Sequence, residues 1–428
     1  MKITSVKAFQ IYDSRGLPTI ACEVVIDNQY YGLAKIPSGA STGINEALEL
    51  RDHDNNQWFG KGVSKAINNI NNVIANKITN FNVDSQQELD QLLIDLDGTS
   101  NKSNLGANAI LAVSLAYCKA CAQAKNMPLF KYIRQEILKD TNSNYYFPIP
   151  LVNVINGGQH SNNNLDFQEF LLIPVNQPTL DKTLQVASEC FLSLQKLLNE
   201  NKFSTAKGDE GGFSVDLPSI EDVLNLLEQA VINAGYKLGV DVCFGLDVAA
   251  SEFFDNGYYY VNVKNQRTKF STQEMIDWYV SLCNTYPIIS LEDPFDENDW
   301  NGFASLTKLL GDKVQIVGDD LYCTNLKLLQ KGVANEATTS ILIKLNQIGS
   351  LSECISTVLY AQSHNINTIV SHRSGETEDD FIADFCLAMN CQQIKTGSMS
   401  RSERLSKYNR LIYIDKTDTS LKKPKPIQ

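Results

Sequence analysis

The chain has 428 residues, of which 43% are hydrophobic, enough to bury a large core in one barrel-sized unit and a smaller companion. Its formal net charge of -12 excludes a surface built to coat nucleic acid, because phosphate binding rests on clustered lysine and arginine. The start Met1-Lys-Ile-Thr-Ser-Val lacks the charged head and apolar stretch of a secretion signal, and no apolar run is long enough to span a bilayer; a cytoplasmic protein without membrane insertion is expected.

Two short β-type pieces come first, Val6 to Tyr12 and Ile20 to Ile26, separated by the turn Asp13-Ser-Arg-Gly-Leu-Pro18. Helical segments follow from Lys61 onward, so the first part of the chain reads as an α+β unit. Cys118 and Cys121 form a C-x-x-C pair inside the alanine-rich helical stretch from Ala109. With no second cysteine or histidine pair nearby, helix packing is favoured over zinc. The ten cysteines show no repeated framework, which fits reduced thiols. The polar run from Asp140 to Asn144 and the punctuation Tyr145-Tyr-Phe-Pro-Ile-Pro150 mark a boundary, dividing the chain into residues 1–138 and 139–428.

Beyond the boundary a unit recurs: a short apolar run, a polar residue with chemical capability, a turn, then a helical pattern. The runs are Val242 to Asp247, Ile288 to Glu292, Val314 to Asp319, Ile341 to Lys344, Thr368 to His372 and Gln393 to Lys395. Over most of this region their polar ends lie roughly 25 residues apart, about one strand-helix unit. The pattern predicts an α/β fold, a (β/α)8-type barrel that gathers its strand ends on one rim. Pro150 to Asn156 and Phe167 to Pro174 are joined by a loop too short for a helical crossover, so the second barrel strand is expected to be antiparallel. That geometry brings Gln168 and Glu169 to the same rim. The tail from Lys416 is polar and expected to fray.

Asp247, Glu292 and Asp319 end three successive strands, and three convergent carboxylates call for a hard divalent cation, magnesium by preference. Helix N-capping is the alternative for any one of them. Asp293 and Asp320, beside them, read as supporting or capping groups. Lys344 stands in the apolar run Ile341-Leu-Ile-Lys-Leu345, where burial would lower its pKa and make it a usable base. Snorkelling to solvent or a structural ion pair is the alternative. Lys395, Arg373 and Ser374 supply groups suited to an anionic, phosphorylated substrate. Glu210 lies in the glycine-rich loop Lys207-Gly-Asp-Glu-Gly-Gly212, either a mobile turn or an acid facing the lysine base, its pKa pushed in the opposite sense. The polar loop Pro37 to Gly43 could be a turn or a lid over the barrel mouth.

These residues carry a resemblance. Ser38-Gly-Ala-Ser-Thr-Gly43, Asn156-Gly-Gly158 with His160, Gln168-Glu-Phe170, Gly208-Asp-Glu-Gly-Gly212, Ser290-Leu-Glu-Asp-Pro294, Gly318-Asp-Asp-Leu321, Lys344-Leu-Asn-Gln-Ile-Gly349, Ser371-His-Arg-Ser-Gly375 and Ile394-Lys-Thr-Gly-Ser398 occur in order. Over nearly its full length the chain resembles the enolase (phosphopyruvate hydratase) family. The resemblance implies reversible dehydration of 2-phosphoglycerate to phosphoenolpyruvate. Lys344 would take the C2 proton and Glu210 would assist loss of the C3 hydroxyl. Two magnesium ions are implied, the second bound with substrate. Asp247, Glu292 and Asp319 would hold the tighter ion, and Ser41 would help capture the second. Arg373 and Ser374 would bind phosphate, Lys395 would serve the carboxylate and metal region, and His160, Gln168, Glu169 and His372 would orient substrate and catalytic groups. A homodimer or higher oligomer is also implied, with a possible secondary role at the cell surface.

Leu17, His53, Ser161 and Asp216 depart from the family pattern without removing a catalytic group. Two other readings are an acid-sugar dehydratase of the wider superfamily and a binding scaffold. The lid motif and the Glu210 loop weigh against the first, and the complete acid, base and metal set weighs against the second.

Overall fold

The computed structural model describes residues 1–40 and 43–424, so Ser41, expected at a metal, lies outside the described residues. The N-terminal unit is built on a sheet of β1 (Ile3–Tyr12), β2 (Pro18–Ile26) and β3 (Tyr30–Lys35), all antiparallel. Asp13 closes the first turn: its carboxylate accepts from the backbone N–H groups of Arg15 and Leu17, at 2.8 and 2.9 Å. Asp27 and Asn28 make the second with positive φ, a conformation these two residue types tolerate.

The sheet packs on α2 (Ala107–Ala124), preceded by α1 (Gln86–Asp97), whose N-cap Ser85 accepts from the Glu88 N–H. Gly32 on β3 permits that approach, since a Cβ there would stand 2.1 Å from the Ala116 carbonyl oxygen. Cys118 and Cys121 lie buried in α2, where desolvation pushes both thiols up. His53, one of the departures from the family pattern, has φ +56°, a left-handed conformation that glycine adopts without strain.

Eight strands close the barrel: β4 (Ile149–Asn156), β5 (Glu169–Pro174), β6 (Val242–Asp247), β7 (Ile288–Glu292), β8 (Gln315–Gly318), β9 (Ser340–Ile343), β10 (Asn367–Ser371) and β11 (Gln393–Lys395). β11 pairs with β4 and completes the ring. β5 runs antiparallel to both neighbours, as its short connection requires. Helices α3 (Leu180–Glu200) and α4 (Ile220–Asn233) follow β5. One long helix follows each later strand: α5 (Thr272–Thr285), α6 (Trp300–Leu310), α7 (Leu326–Ala334), α8 (Leu351–Ser363), α9 (Phe381–Met389) and α10 (Ser402–Thr417). Strand ends differ from the sequence reading by a residue or so: Asp319, Lys344 and His372 lie just past their strands, and Gln168 just before its own.

A compact apolar cluster fills the barrel interior: Ile149 and Leu151 on β4, Leu171 and Ile173 on β5, Val317 on β8, Leu342 on β9 and Ile369 on β10. Because strand side chains alternate, the residues two steps further toward the rim share this inward face. They are Asn153, Glu169, Asp319, Lys344 and Ser371. Period two is thus what turns polar strand ends into one inward-facing mouth.

Candidate active site

Strand register sets the acidic side of the mouth. Asn156 lies opposite Glu169, Glu169 opposite Asp247, and Asp247 opposite Glu292. The three acids converge on one ammonium: Lys395 Nζ is 2.9 Å from Asp247 Oδ2, 2.9 Å from both oxygens of Glu292 and 3.2 Å from Glu169 Oε1. Gln168 Nε2 adds a hydrogen bond to Asp247 Oδ2 at 3.2 Å. Asp319 stands on the other flank, paired with Lys344 and accepting from Gln347 Nε2 at 2.9 Å. None of the three strand-end carboxylates caps a helix; it is Asp293 that accepts from the N–H groups of Asp319 and Asp320, at 2.9 and 2.7 Å.

Burial, then the neighbouring Asp247 charge, holds Glu292 well above the usual carboxylate range, and burial with the Glu210 charge does the same to Glu169. Among the described residues Glu169 Oε2 is buried without a hydrogen-bond partner. A buried, all-oxygen acidic set sharing one lysine is short of positive charge, and that is the chemistry a hard divalent cation completes. The residues present therefore fit such an ion.

Glu210 reaches the mouth on a loop strapped to β4. Phe213–Ser214 pairs with Ile155 and Asn156, and the Glu210 carbonyl accepts from Ser398 N–H at 3.0 Å. The close approach depends on Gly212, where a Cβ would come 2.8 Å from Asn156 Oδ1. Asn153 and Asn156 donate to Glu210 Oε2 at 2.9 and 3.3 Å. His160 Nδ1 lies 3.3 Å from Glu210 Oε2 and 3.8 Å from Glu169 Oε1, and His372 Nε2 lies 3.5 Å from Glu210 Oε1. Ser161 and Asp216, two of the unusual residues, both reinforce this region: Ser161 bonds to Ser214, and Asp216 Oδ1 accepts from Asn164 N–H at 3.0 Å.

The expected polarisation of the acid and the base is reversed. Burial, the largest single influence, pulls Lys344 down, as expected, but the carboxylates of Asp319 and Glu292 together turn the net shift upward. Burial alone would raise Glu210, yet its positive and hydrogen-bond-donating surroundings hold it well below the usual range. Each group answers to its own partner rather than to the other. Lys344 is thus biased towards its ammonium form and Glu210 towards its carboxylate form.

On the substrate side, Arg373 forms a two-pronged pair with Glu46, Nη1 and Nη2 each 3.1 Å from one carboxylate oxygen, and donates to Asn346 Oδ1 at 2.9 Å. Ser374 Oγ accepts from Ala40 N–H at 2.7 Å, and Ser38 and Gly375 exchange backbone hydrogen bonds at 2.7 and 2.9 Å. The N-terminal loop therefore meets the barrel beside Arg373 and Ser374. A cavity of about 20 Å³ remains between His160, Glu169, Glu210, Lys344, His372 and Lys395. A cleft of about 970 Å³ lies elsewhere, between the N-terminal unit and the outside of the barrel; its acids, Asp84, Glu136 and Asp140, are exposed or half-exposed and do not converge.

All the expected site residues among those described thus line one mouth. Asn153, Asn156, Glu46 and Gln347 belong to it too and were not singled out. The two asparagines carried the same signal as Lys344, polar groups in an apolar strand.

Comparison with known proteins agrees with this arrangement. Residues 3–133 match the family model described as "Enolase, N-terminal domain", and residues 144–422 match "Enolase, C-terminal TIM barrel domain". The chain belongs to the enolase family. Among curated enolases it is 53% identical to that of Mycoplasmoides gallisepticum, covering 97% of this chain and 89% of the relative. It is 52% identical to that of Ureaplasma parvum, covering 97% and 96%, and 50% identical to that of Mycoplasma genitalium, covering 97% and 92%. Enolases are metal-dependent, in keeping with the acidic flank of the mouth. Among the described residues no helix is long and apolar enough to cross a membrane.

Proposed function

We propose that Lys344 and Glu210 are the base and acid of the reaction this chain catalyses, the reversible dehydration of 2-phospho-D-glycerate to phosphoenolpyruvate. It is a carbon–oxygen lyase of glycolysis. The observation carrying the assignment is that two chemically opposite groups line one small cavity, each held by its own set of partners.

In the dehydration direction Lys344 accepts the C2 proton as neutral amine, and Glu210 as acid protonates the departing C3 hydroxyl. An ammonium at Lys344 with a carboxylate at Glu210 is the state left when that turnover ends, and it is the state that hydration of phosphoenolpyruvate requires. Glu169, raised by burial, is the neighbour able to hold a proton for Glu210, with His160 between them. Arg373 and Ser374 take the substrate phosphate, and Lys395 with Gln168 orients the carboxylate end.

Asp247, Glu292 and Asp319 would hold magnesium, with Ser41 serving a second ion that arrives with substrate. The bound cation supplies positive charge to the substrate carboxylate while the neighbouring carbon loses its proton. The same reading takes residues 1–138 as a capping unit on a catalytic barrel of residues 139–428, supported by the Ser38–Gly375 bridge, and includes a cytoplasmic homodimer.

A coupled pyruvate kinase assay tests the function. Purified protein with magnesium and 2-phosphoglycerate should form phosphoenolpyruvate, chelator should stop it and added magnesium should restore it. No product under saturating magnesium would overturn the assignment.

A further inference from the structure

Arg404, at the start of α10, is wholly buried yet has no role in the reading above. Its guanidinium lies behind the mouth and joins two loops. Nη2 donates to the carbonyls of Asp209, at 3.1 Å, and Ser374, at 2.5 Å; Nη1 donates to the carbonyl of Arg373, at 2.6 Å. Nη1 also lies 2.6 Å from His372 Nδ1. Gly397 lets it pack there, since a Cβ at that position would come 2.8 Å from Arg404 Cδ.

A guanidinium has donors only, so the ring nitrogen it faces must be an acceptor. In neutral His372 the proton then belongs on Nε2, the nitrogen 3.5 Å from Glu210 Oε1. The other Glu210 oxygen already receives Asn153 and Asn156. We propose that Arg404 is a positioning residue for catalysis: it fixes His372 as the Nε2–H tautomer and so presents a directed donor to Glu210. Burial, with Arg404, Lys395 and Lys344 nearby, keeps the His372 ring uncharged, so that the tautomer rather than a charge is what reaches the carboxylate. The same guanidinium ties the Asp209 carbonyl, one residue before the acid, to the loop that carries Arg373 and Ser374.

This inference rests on the role given to Glu210, but its direct test does not involve turnover. The chain has four histidines, so side-chain nitrogen NMR of 15N-histidine-labelled full-length protein is readable, with His372 assigned by the signal lost in His372→Gln. Resting wild-type protein should show His372 protonated at Nε2 and unprotonated at Nδ1. The opposite tautomer in wild type would overturn the proposal whatever the activity. Arg404→Met should allow the Nδ1–H form to appear and lower kcat at least about tenfold, whereas Arg404→Lys, which keeps a donor, should retain the Nε2–H form and recover most of kcat. If Arg404→Met does not fold, the wild-type and Arg404→Lys spectra still decide. A folded Arg404→Met with the wild-type tautomer and wild-type kcat would also overturn it.

Discussion

Lys344 is a lysine at the end of an apolar strand, and the sequence makes it conspicuous. The direction of its pKa shift was not legible, because burial can be read from neighbouring residues in the chain whereas the counter-ions cannot: Asp319 and Glu292 come from other parts of the barrel and together reverse the shift. Glu210 follows the same logic, since its partners Asn153, Asn156, His160 and His372 are distant in sequence. Lys395 is the residue on which the acidic flank depends in the absence of metal. Lys395→Met would leave Asp247, Glu292 and Glu169 buried without their shared cation, a change that costs about 3 kcal/mol or more when one partner of a buried ionic network is removed. The expected result is a large drop in thermal stability in chelator that magnesium partly reverses; a melting temperature unchanged in chelator would show that the network does not matter to the fold.

At the scale of elements, the barrel was legible because its strands are short apolar runs ending in chemistry-bearing residues, and the antiparallel β5 followed from the length of one loop. Register then did what sequence reading could only anticipate, setting Glu169 opposite Asp247 and Asp247 opposite Glu292. β3 was missed. Its residues Tyr30-Tyr-Gly-Leu-Ala-Lys35 include a glycine and make a weak strand signal, while the positive-φ pair Asp27 and Asn28 before them was the better clue. That glycine is structural. Gly32→Ala would drive a methyl into the α2 backbone at Ala116 and Ala120, and overpacking of this kind costs about 1–3 kcal/mol. Urea unfolding should show the loss, and a variant as stable as the wild type would mean that β3 can move away from α2 freely.

For the whole molecule, the contact between the two units builds one wall of the mouth. Asp379 is its half-buried latch: its carboxylate is 2.8 Å from Lys119 Nζ on α2 and accepts from Lys35 N–H at 2.9 Å, while also accepting from Phe381 N–H at 3.0 Å in the barrel. Burial opposes ionisation here, but Lys119 and these donors win, and the folded-state pKa lies below the ordinary 3.8. A depressed carboxyl contributes its stability above the unfolded value and loses it as pH falls through the folded one. Asp379→Asn should therefore cost about 2 kcal/mol near neutrality, and the gap from wild type should close below about pH 4. Melting curves across that range check the sign; a gap that widens in acid would refute it. Arg404 has no such local signal: nothing in a helix beyond the last barrel strand marks its guanidinium as the support of two loops in the mouth.

The reaction itself divides into two halves assigned to different residues, and exchange of the C2 hydrogen of 2-phosphoglycerate with solvent separates them. Followed by NMR in deuterated water with magnesium, Glu210→Gln should still exchange C2 hydrogen while losing dehydration by about 10²- to 10⁴-fold, whereas folded Lys344→Ala should lose both. Wild-type C2 exchange in Lys344→Ala would contradict the account, because the proton would then leave to some other base.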